Sequence, residues 1–176
     1  MNLYFRLIIV FLRSLFARHS DILEESRSFF RAWPFDCDVN IHLTNARYFA
    51  LADVGRIYYL GQAGVLFNLL KKGLLPVAQA QEISFFKGIK PFHRFEVTTR
   101  FTHWDDKYWY TEHKFFTRGQ LSALLQVRGV FVQNKQVQSM SDVFSHAGVE
   151  TNLPEKPSIV EYWQKLLQCK REYLES

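Results

Sequence analysis

From Arg94 to Trp104 the chain alternates strictly. Phe95, Val97, Thr99 and Phe101 fall on one side of an extended segment, and Arg94, Glu96, Thr98 and Arg100 on the other. The alternation predicts a strand with one face in a core. Similar runs predict strands at Ser26 to Phe35, Val77 to Phe86, Tyr108 to Thr117 and Leu121 to Gln133. Pro34 ends the first of them, and Lys87-Gly88-Ile89-Lys90-Pro91, Asp105-Asp106-Lys107 and Arg118-Gly119-Gln120 read as turns between the others. A different period governs Thr44 to about Leu60. There Ala46, Phe49, Ala50, Ile57 and Leu60 recur at helical spacing, Thr44 is a suitable N-cap, and Gly61 and Gly64 punctuate the end. A short helix is expected over Val65 to Lys72, before Gly73. Gln138 to Pro157 reads as a loop. A final amphipathic helix, about Ser158 to Leu174, carries Ile159, Tyr162, Trp163, Leu166, Leu167 and Leu174 on its apolar stripe and is expected to dock on the core. Strand, long helix and a meander of four strands make an α+β fold, with a mostly antiparallel sheet wrapped around one helix.

The N-terminal stretch is strongly apolar from Leu3 to Phe16 but is interrupted by Arg6 and Arg13, which are seven positions apart and share a face of a helix. It is too short and too charged for a membrane span, which needs about 20 apolar residues. Two readings stay open. One is a helix lying in a membrane interface, a peripheral contact through residues 1–19. The other is a helix packed on the body or on a partner subunit. The expected organisation is residues 1–20 as this appended helix and 21–176 as a single domain.

Composition narrows the function. A 48% hydrophobic content supports a packed core. The formal charge is +5, but the basic residues are dispersed and no nucleic-acid-binding motif is present, which sets nucleic acid aside. Cys37 and Cys169 show neither CxxC nor metal-ligand spacing and read as free thiols of a reducing, cytoplasmic environment. Cys37 lies in the stretch richest in chemistry, so a cysteine nucleophile has to be weighed, although no Cys/His signature accompanies it.

That stretch is Asp36-Cys37-Asp38-Val39-Asn40-Ile41-His42-Leu43-Thr44-Asn45-Ala46-Arg47-Tyr48, a polar loop running directly into a helix. Asp38 can attack an acyl carbonyl or deprotonate a water that does, and the sequence does not choose between the two. The helix start near Thr44 supplies free N–H groups and partial positive charge for a developing oxyanion. Asn45 can orient water or substrate. Asp36, His42 and Tyr48 read as supports: a loop-shaping acceptor, a structural histidine, and a core ring whose hydroxyl anchors the loop. Asp53 and Arg56, one turn apart, can pair.

The order of elements resembles the hotdog fold. The loop resembles the Asp-x-Asp-x-x-x-His-x-x-Asn-x-x-Tyr signature of the 4-hydroxybenzoyl-CoA thioesterase-like acyl-CoA thioesterases, filled here by Asp36, Asp38, His42, Asn45 and Tyr48. Ile41 stands where that family usually has Gly, and Thr44 where it has Asn. Ala46-Arg47-Tyr48-Phe49 with Asp53 and Arg56, Ile83 to Lys87 and Trp104 to Tyr108 are similar to the thioesterase superfamily member six-like branch. The resemblance spans roughly residues 27 to 135. Hotdog hydratases resemble Asp-x-Asn-Pro-x-His, with the His five positions after the Asp. Here Asp38 and His42 are four apart, which weakens that alternative.

The resemblance implies an acyl-CoA thioesterase with Asp38 as its catalytic carboxylate, a fatty or aromatic acyl-CoA substrate, no cofactor or metal, and a homodimer or homotetramer whose site lies between subunits. Lys87, Lys90 and Arg94 are candidates for the CoA phosphates. The aromatics Phe85, Phe86, Trp104, Trp109 and Phe115 can line an acyl tunnel but are core positions first. The competing class is a non-catalytic hotdog module that binds acyl groups or a membrane. Acyl-CoA turnover separates the two.

Overall fold

A computed structural model describes residues 3–17, 19–149 and 152–175. The elements in chain order are α1 (Leu3–Leu15), β1 (Ser26–Arg31), a 3-10 turn (Pro34–Asp36), α2 (Asn45–Gln62), α3 (Leu66–Lys71), β2 (Leu75–Phe85), β3 (Arg94–Trp104), β4 (Trp109–Thr117), β5 (Gln120–Gln133), β6 (Gln136–Gln138), α4 (Met140–Ala147) and α5 (Ser158–Glu175). The strands form one antiparallel sheet in the order β1-β3-β4-β5-β2, with β6 a short addition to β5. Register shifts in β2 (Ala78/Ala80), β3 (Phe101/His103) and β4 (Phe115/Phe116) bend the sheet. The curled sheet holds α2 against one face, which is the hotdog arrangement.

Tyr48, Leu51, Ala52, Val54, Tyr59 and Leu60 of α2 join Phe95, Val97, Phe101, Trp109, Phe115, Leu125 and Val127 in the core. Burying each large side chain contributes about 1.5–3 kcal/mol. Gly55 lets the helix approach the sheet: a Cβ there would sit 3.2 Å from Thr99 Oγ1 and 3.6 Å from Ser28 Oγ. The buried stripe differs from the one expected. Ala46 is exposed on the first turn, while Tyr48, Gly55 and even Arg56 face inward. Arg56 tolerates this because it pairs with Asp53 and stacks 5.0 Å from the Trp109 ring centroid.

Three further expectations need revision. The first strand stops at Arg31, because the chain turns into the 3-10 segment beginning at Pro34. The expected loop from Gln138 to Pro157 begins at the end of β6 and contains α4, whose N-cap Ser139 accepts a hydrogen bond from the Asp142 N–H. On α5 only Val160 and Trp163 are buried, and they pack with Tyr110 on the outer face of the sheet. Ile159, Tyr162, Leu166 and Leu174 remain exposed.

The N-terminal helix α1 packs along α2, with Arg6, Val10 and Ser14 buried. Its two arginines therefore do not form a solvent face, because Arg6 points into the body and only Arg13 is exposed. Among the described residues no helix is long and apolar enough to cross a membrane.

Candidate active site

The loop between the 3-10 turn and α2 closes on itself as a small hairpin. The Asp38 N–H donates to His42 O (2.9 Å), the Ile41 N–H donates to Asp38 O (3.0 Å), and Cys37 bridges to Leu43. Three residues at the tip with the last in the left-handed region is the geometry of a turn followed by a G1 bulge. The left-handed residue is Ile41, at φ 58°. A β-branched residue is strained there, and glycine, which the resembling family favours, would not be.

Asp38 is exposed at the base of this hairpin. Its Oδ1 accepts the Asn40 N–H at 2.9 Å and the His42 N–H at 3.5 Å. Its Oδ2 has no hydrogen bond among the described residues. The carboxylate is thus oriented through one oxygen and available through the other.

Asp36, two residues earlier, is in the opposite situation. It is 1% exposed. It accepts the Trp33 N–H at 3.0 Å, pairs with Arg6 of α1, and meets Arg47 Nε of α2 at 3.2 Å. Oδ2 takes both hydrogen bonds, while Oδ1 lies at ion-pair distance from Arg47 without a hydrogen bond, so the work of Asp36 is to join three segments.

The loop leads into α2 at Thr44, an extended residue whose own N–H donates to Asp36 O (2.9 Å). Thr44 occupies the N-cap position but its side chain makes no capping hydrogen bond. Asn45 is exposed at the first helical position. An 18-residue helix with no side chain over its first N–H groups presents partial positive charge at its start.

Beneath the loop runs the turn after β2. The Leu43 N–H donates to Ile89 O at 2.8 Å. The His42 ring lies so close over Gly88 that a Cβ there would overlap it. The Tyr48 ring contacts Phe85 and Phe115 at 5.1 and 4.9 Å between centroids. Burial pushes its hydroxyl pKa up to about 12, partly offset by a hydrogen bond to the Ile89 backbone. Tyr48 therefore stays neutral and ties α2 to this turn.

Lys87 and Lys90 are exposed on the turn that carries Gly88 and Ile89, beside the Asp38 loop, and Lys87 Nζ donates to the Gln120 side chain. Arg94 is placed differently: it starts β3 directly opposite Arg31 and lines a groove against α1. Trp109 and Phe115 are fully buried core residues, and Phe85 and Phe86 are exposed.

Cys37 carries a raised thiol pKa, from burial first and then from the charges of Asp36 and Asp38. The thiolate that nucleophilic attack requires is disfavoured. Sequence reasoning missed Gly88 and Arg6. The glycine sits in a turn that alone looks unremarkable, and Arg6 is 30 positions from its partner.

A curled antiparallel sheet around α2 is the architecture of the hotdog class. The family model described as "Thioesterase-like superfamily" matches residues 32–148. The chain belongs to this superfamily, and with it to the hydrolases that act on thioesters. It is similar to Protein THEM6 of Xenopus laevis, with 31% identity over 150 residues, covering 82% of this chain and 70% of that protein. Among solved structures it resembles a probable thioesterase from Bartonella henselae (TM-score 0.62, 18% identity, 66% of this chain and 99% of that one). It also resembles the 4-hydroxybenzoyl-CoA thioesterase of Pseudomonas sp. strain CBS-3 (TM-score 0.61, 15% identity, 69% and 98%).

Proposed function

We propose that the protein hydrolyses a fatty or aromatic acyl-CoA thioester, with Asp38 as the reacting carboxylate. The observation that carries this reading is the contrast between the two loop aspartates. Asp36 is buried and paired with Arg6 and Arg47, whereas Asp38 is exposed and held through Oδ1 alone.

In one course, Asp38 Oδ2 takes a proton from water, the water oxygen bonds to the acyl carbon, the C–S bond breaks, and the CoA sulfur leaves with a proton. In the other, Oδ2 itself bonds to the acyl carbon and expels the thiol, and water then cleaves the resulting anhydride. Either way charge develops on the carbonyl oxygen, and the first N–H groups of α2 are the donors suited to receive it. Asn45 and Thr44, at the same helix start, position water or the thioester. Lys87 and Lys90 supply cations for the CoA phosphates.

A second copy of the chain completes the site. Among the described residues β2 pairs only with β5, and most of its 11 residues are exposed. Such an edge invites strand pairing with a copy of itself. Phe35, Val39 and Ile41 stand 80%, 96% and 65% exposed around Asp38, apolar surface that a partner subunit or an acyl chain would cover. Charged substitutions at two exposed edge positions, Val77→Lys with Phe85→Lys, should give a monomer by light scattering and abolish turnover.

The decisive assay is thiol release from a panel of acyl-CoAs of increasing chain length. Asp38→Asn should lower turnover by roughly 10²–10⁴-fold while leaving the fold intact. Full activity in that variant would remove Asp38 from the reaction. Absence of release from every acyl-CoA, with tight binding retained, would instead make the protein an acyl binder. A single turnover in heavy-oxygen water tests for direct attack: unlabelled acid together with label in Asp38 requires an anhydride that water opens at the Asp38 carbonyl, whereas water attack at the acyl carbon labels the acid.

A further inference from the structure

The outward face of α1 is apolar. Phe5, Ile8, Ile9 and Leu12 are 61%, 55%, 41% and 50% exposed, at helical spacing on the side away from α2, and Phe16 just past the helix end is 88% exposed. A helix that is apolar all round is normally covered on both sides. Beside this face, between α1 and the β1–β3 edge, lies a groove of about 480 Å³. Its charged lining is Arg6, Arg13, Arg31 and Arg94, and no acidic side chain lines it.

Two further observations point to an anion there. Arg31 and Arg94 are direct cross-strand partners, so two like charges stand side by side on one face of the sheet, an unfavourable pairing unless something negative joins them. Arg6 is 3% exposed and lines the groove, and its Nη1 has no hydrogen-bond partner among the described residues although its Nη2 is held by Asp36. A buried guanidinium nitrogen without a partner is costly. Phe29 and Trp33 add apolar walls.

We infer that this groove receives the phosphate of an anionic lipid head group while the exposed face of α1 lies in the bilayer surface. Charge and apolar area select the occupant together: arginines for the phosphate, and a helical row of Phe, Ile and Leu for the acyl boundary beside it. The groove uses α1, which lies outside the segment matched by the superfamily. The inference is therefore independent of the hydrolase chemistry, and Asp38→Asn should bind membranes like the unaltered chain.

The test is co-sedimentation of the full chain with phosphatidylcholine vesicles and with mixed phosphatidylcholine–phosphatidylserine vesicles. The unaltered protein should partition to the mixed vesicles, less so at high salt. Each exposed arginine changed to Gln should cost about fivefold in partitioning, and Arg13→Gln/Arg31→Gln/Arg94→Gln about 100-fold. Phe5→Ser/Ile8→Ser/Leu12→Ser should lose binding to both vesicle types. All these positions are exposed, and an unchanged circular dichroism melt confirms that each variant folds. Equal partitioning to the two vesicle types, or an undiminished triple arginine variant, overturns the inference. Release from vesicles by excess free CoA would overturn it in favour of a nucleotide site. Self-association lost in the apolar triple variant, without vesicle binding, would overturn it in favour of an interface between copies of the chain.

Discussion

Ile41 is where local sequence and local geometry disagree. The hairpin bonds of Asp38 force its third tip residue to φ 58°, and the side chain there is β-branched. The left-handed conformation costs an L-residue roughly 1–2 kcal/mol. Ile41 is 65% exposed, so little burial within its own chain repays that strain. Ile41→Gly should therefore raise stability by about 1 kcal/mol, after allowing for the greater entropy glycine brings to the unfolded chain. In a calorimetric melt the midpoint should rise by about 2–4 °C. A fall instead would mean that the Ile41 side chain is buried by a second copy of the chain, as the proposed dimer allows. The strain also explains why the departure from a glycine-bearing loop was visible in the sequence while its cost was not. The residue type can be read off, but the sign of φ is set by the two hydrogen bonds of Asp38.

Asp36 joins α1, the 3-10 turn and the first turn of α2 through Arg6, Trp33 and Arg47. Removing one partner of a buried ion pair leaves the other charge stranded, at a cost of about 3–5 kcal/mol. Asp36→Ala strands Arg6, so urea unfolding should show a loss of about 3 kcal/mol, whereas Asp38→Asn, at an exposed position, should cost less than about 1 kcal/mol. If both variants lost stability equally, the division between a structural and a reacting aspartate would fail. The sequence showed the two aspartates but not this division, because Arg6 lies 30 positions from Asp36 and no local pattern announces it. What was legible had a short period: the alternation of β3, the helical spacing of α2, the turns of the meander. The helix α4 is equally legible, although a loop is the expectation for its segment. Ser139 with Asp142 three residues on, Met140, Val143, Phe144 and Ala147 at helical spacing, and Gly148 beyond the end are its signals. The inward face of α2 departs from expectation for the opposite reason. Its buried residues include a glycine and an arginine, which hydrophobic periodicity cannot register.

At the scale of the whole molecule, one buried histidine ties the stability of the sheet to pH. His113 sits in β4 with 0% exposure, its Nδ1 2.9 Å from Thr99 Oγ1 and its Nε2 3.4 Å from Thr111 Oγ1. Two hydroxyls satisfy a neutral imidazole, one nitrogen donating and the other accepting. Burial, and then the nearby Arg56 charge, hold its pKa well below 6.5. His103 in β3 is shifted the same way, chiefly by burial. Below about pH 6.5 the unfolded chain binds a proton at each histidine and the folded chain does not, so falling pH favours unfolding. This contribution is complete above the unfolded pKa. It shrinks by up to about 1.4 kcal/mol per pH unit per histidine as pH falls toward the depressed folded value, and it levels off below that value. Urea midpoints measured from pH 7.5 to about pH 5 should therefore decline on the acid side. His113→Gln, which keeps hydrogen-bonding capacity but cannot titrate, should start less stable at pH 7.5 and decline less steeply. The difference in slope is the readout, because an offset alone reports only packing. Parallel curves for the variant and the unaltered chain would show that His113 is not the group taking up the proton. His103, whose pKa is depressed in the same direction, would then be the group to change next.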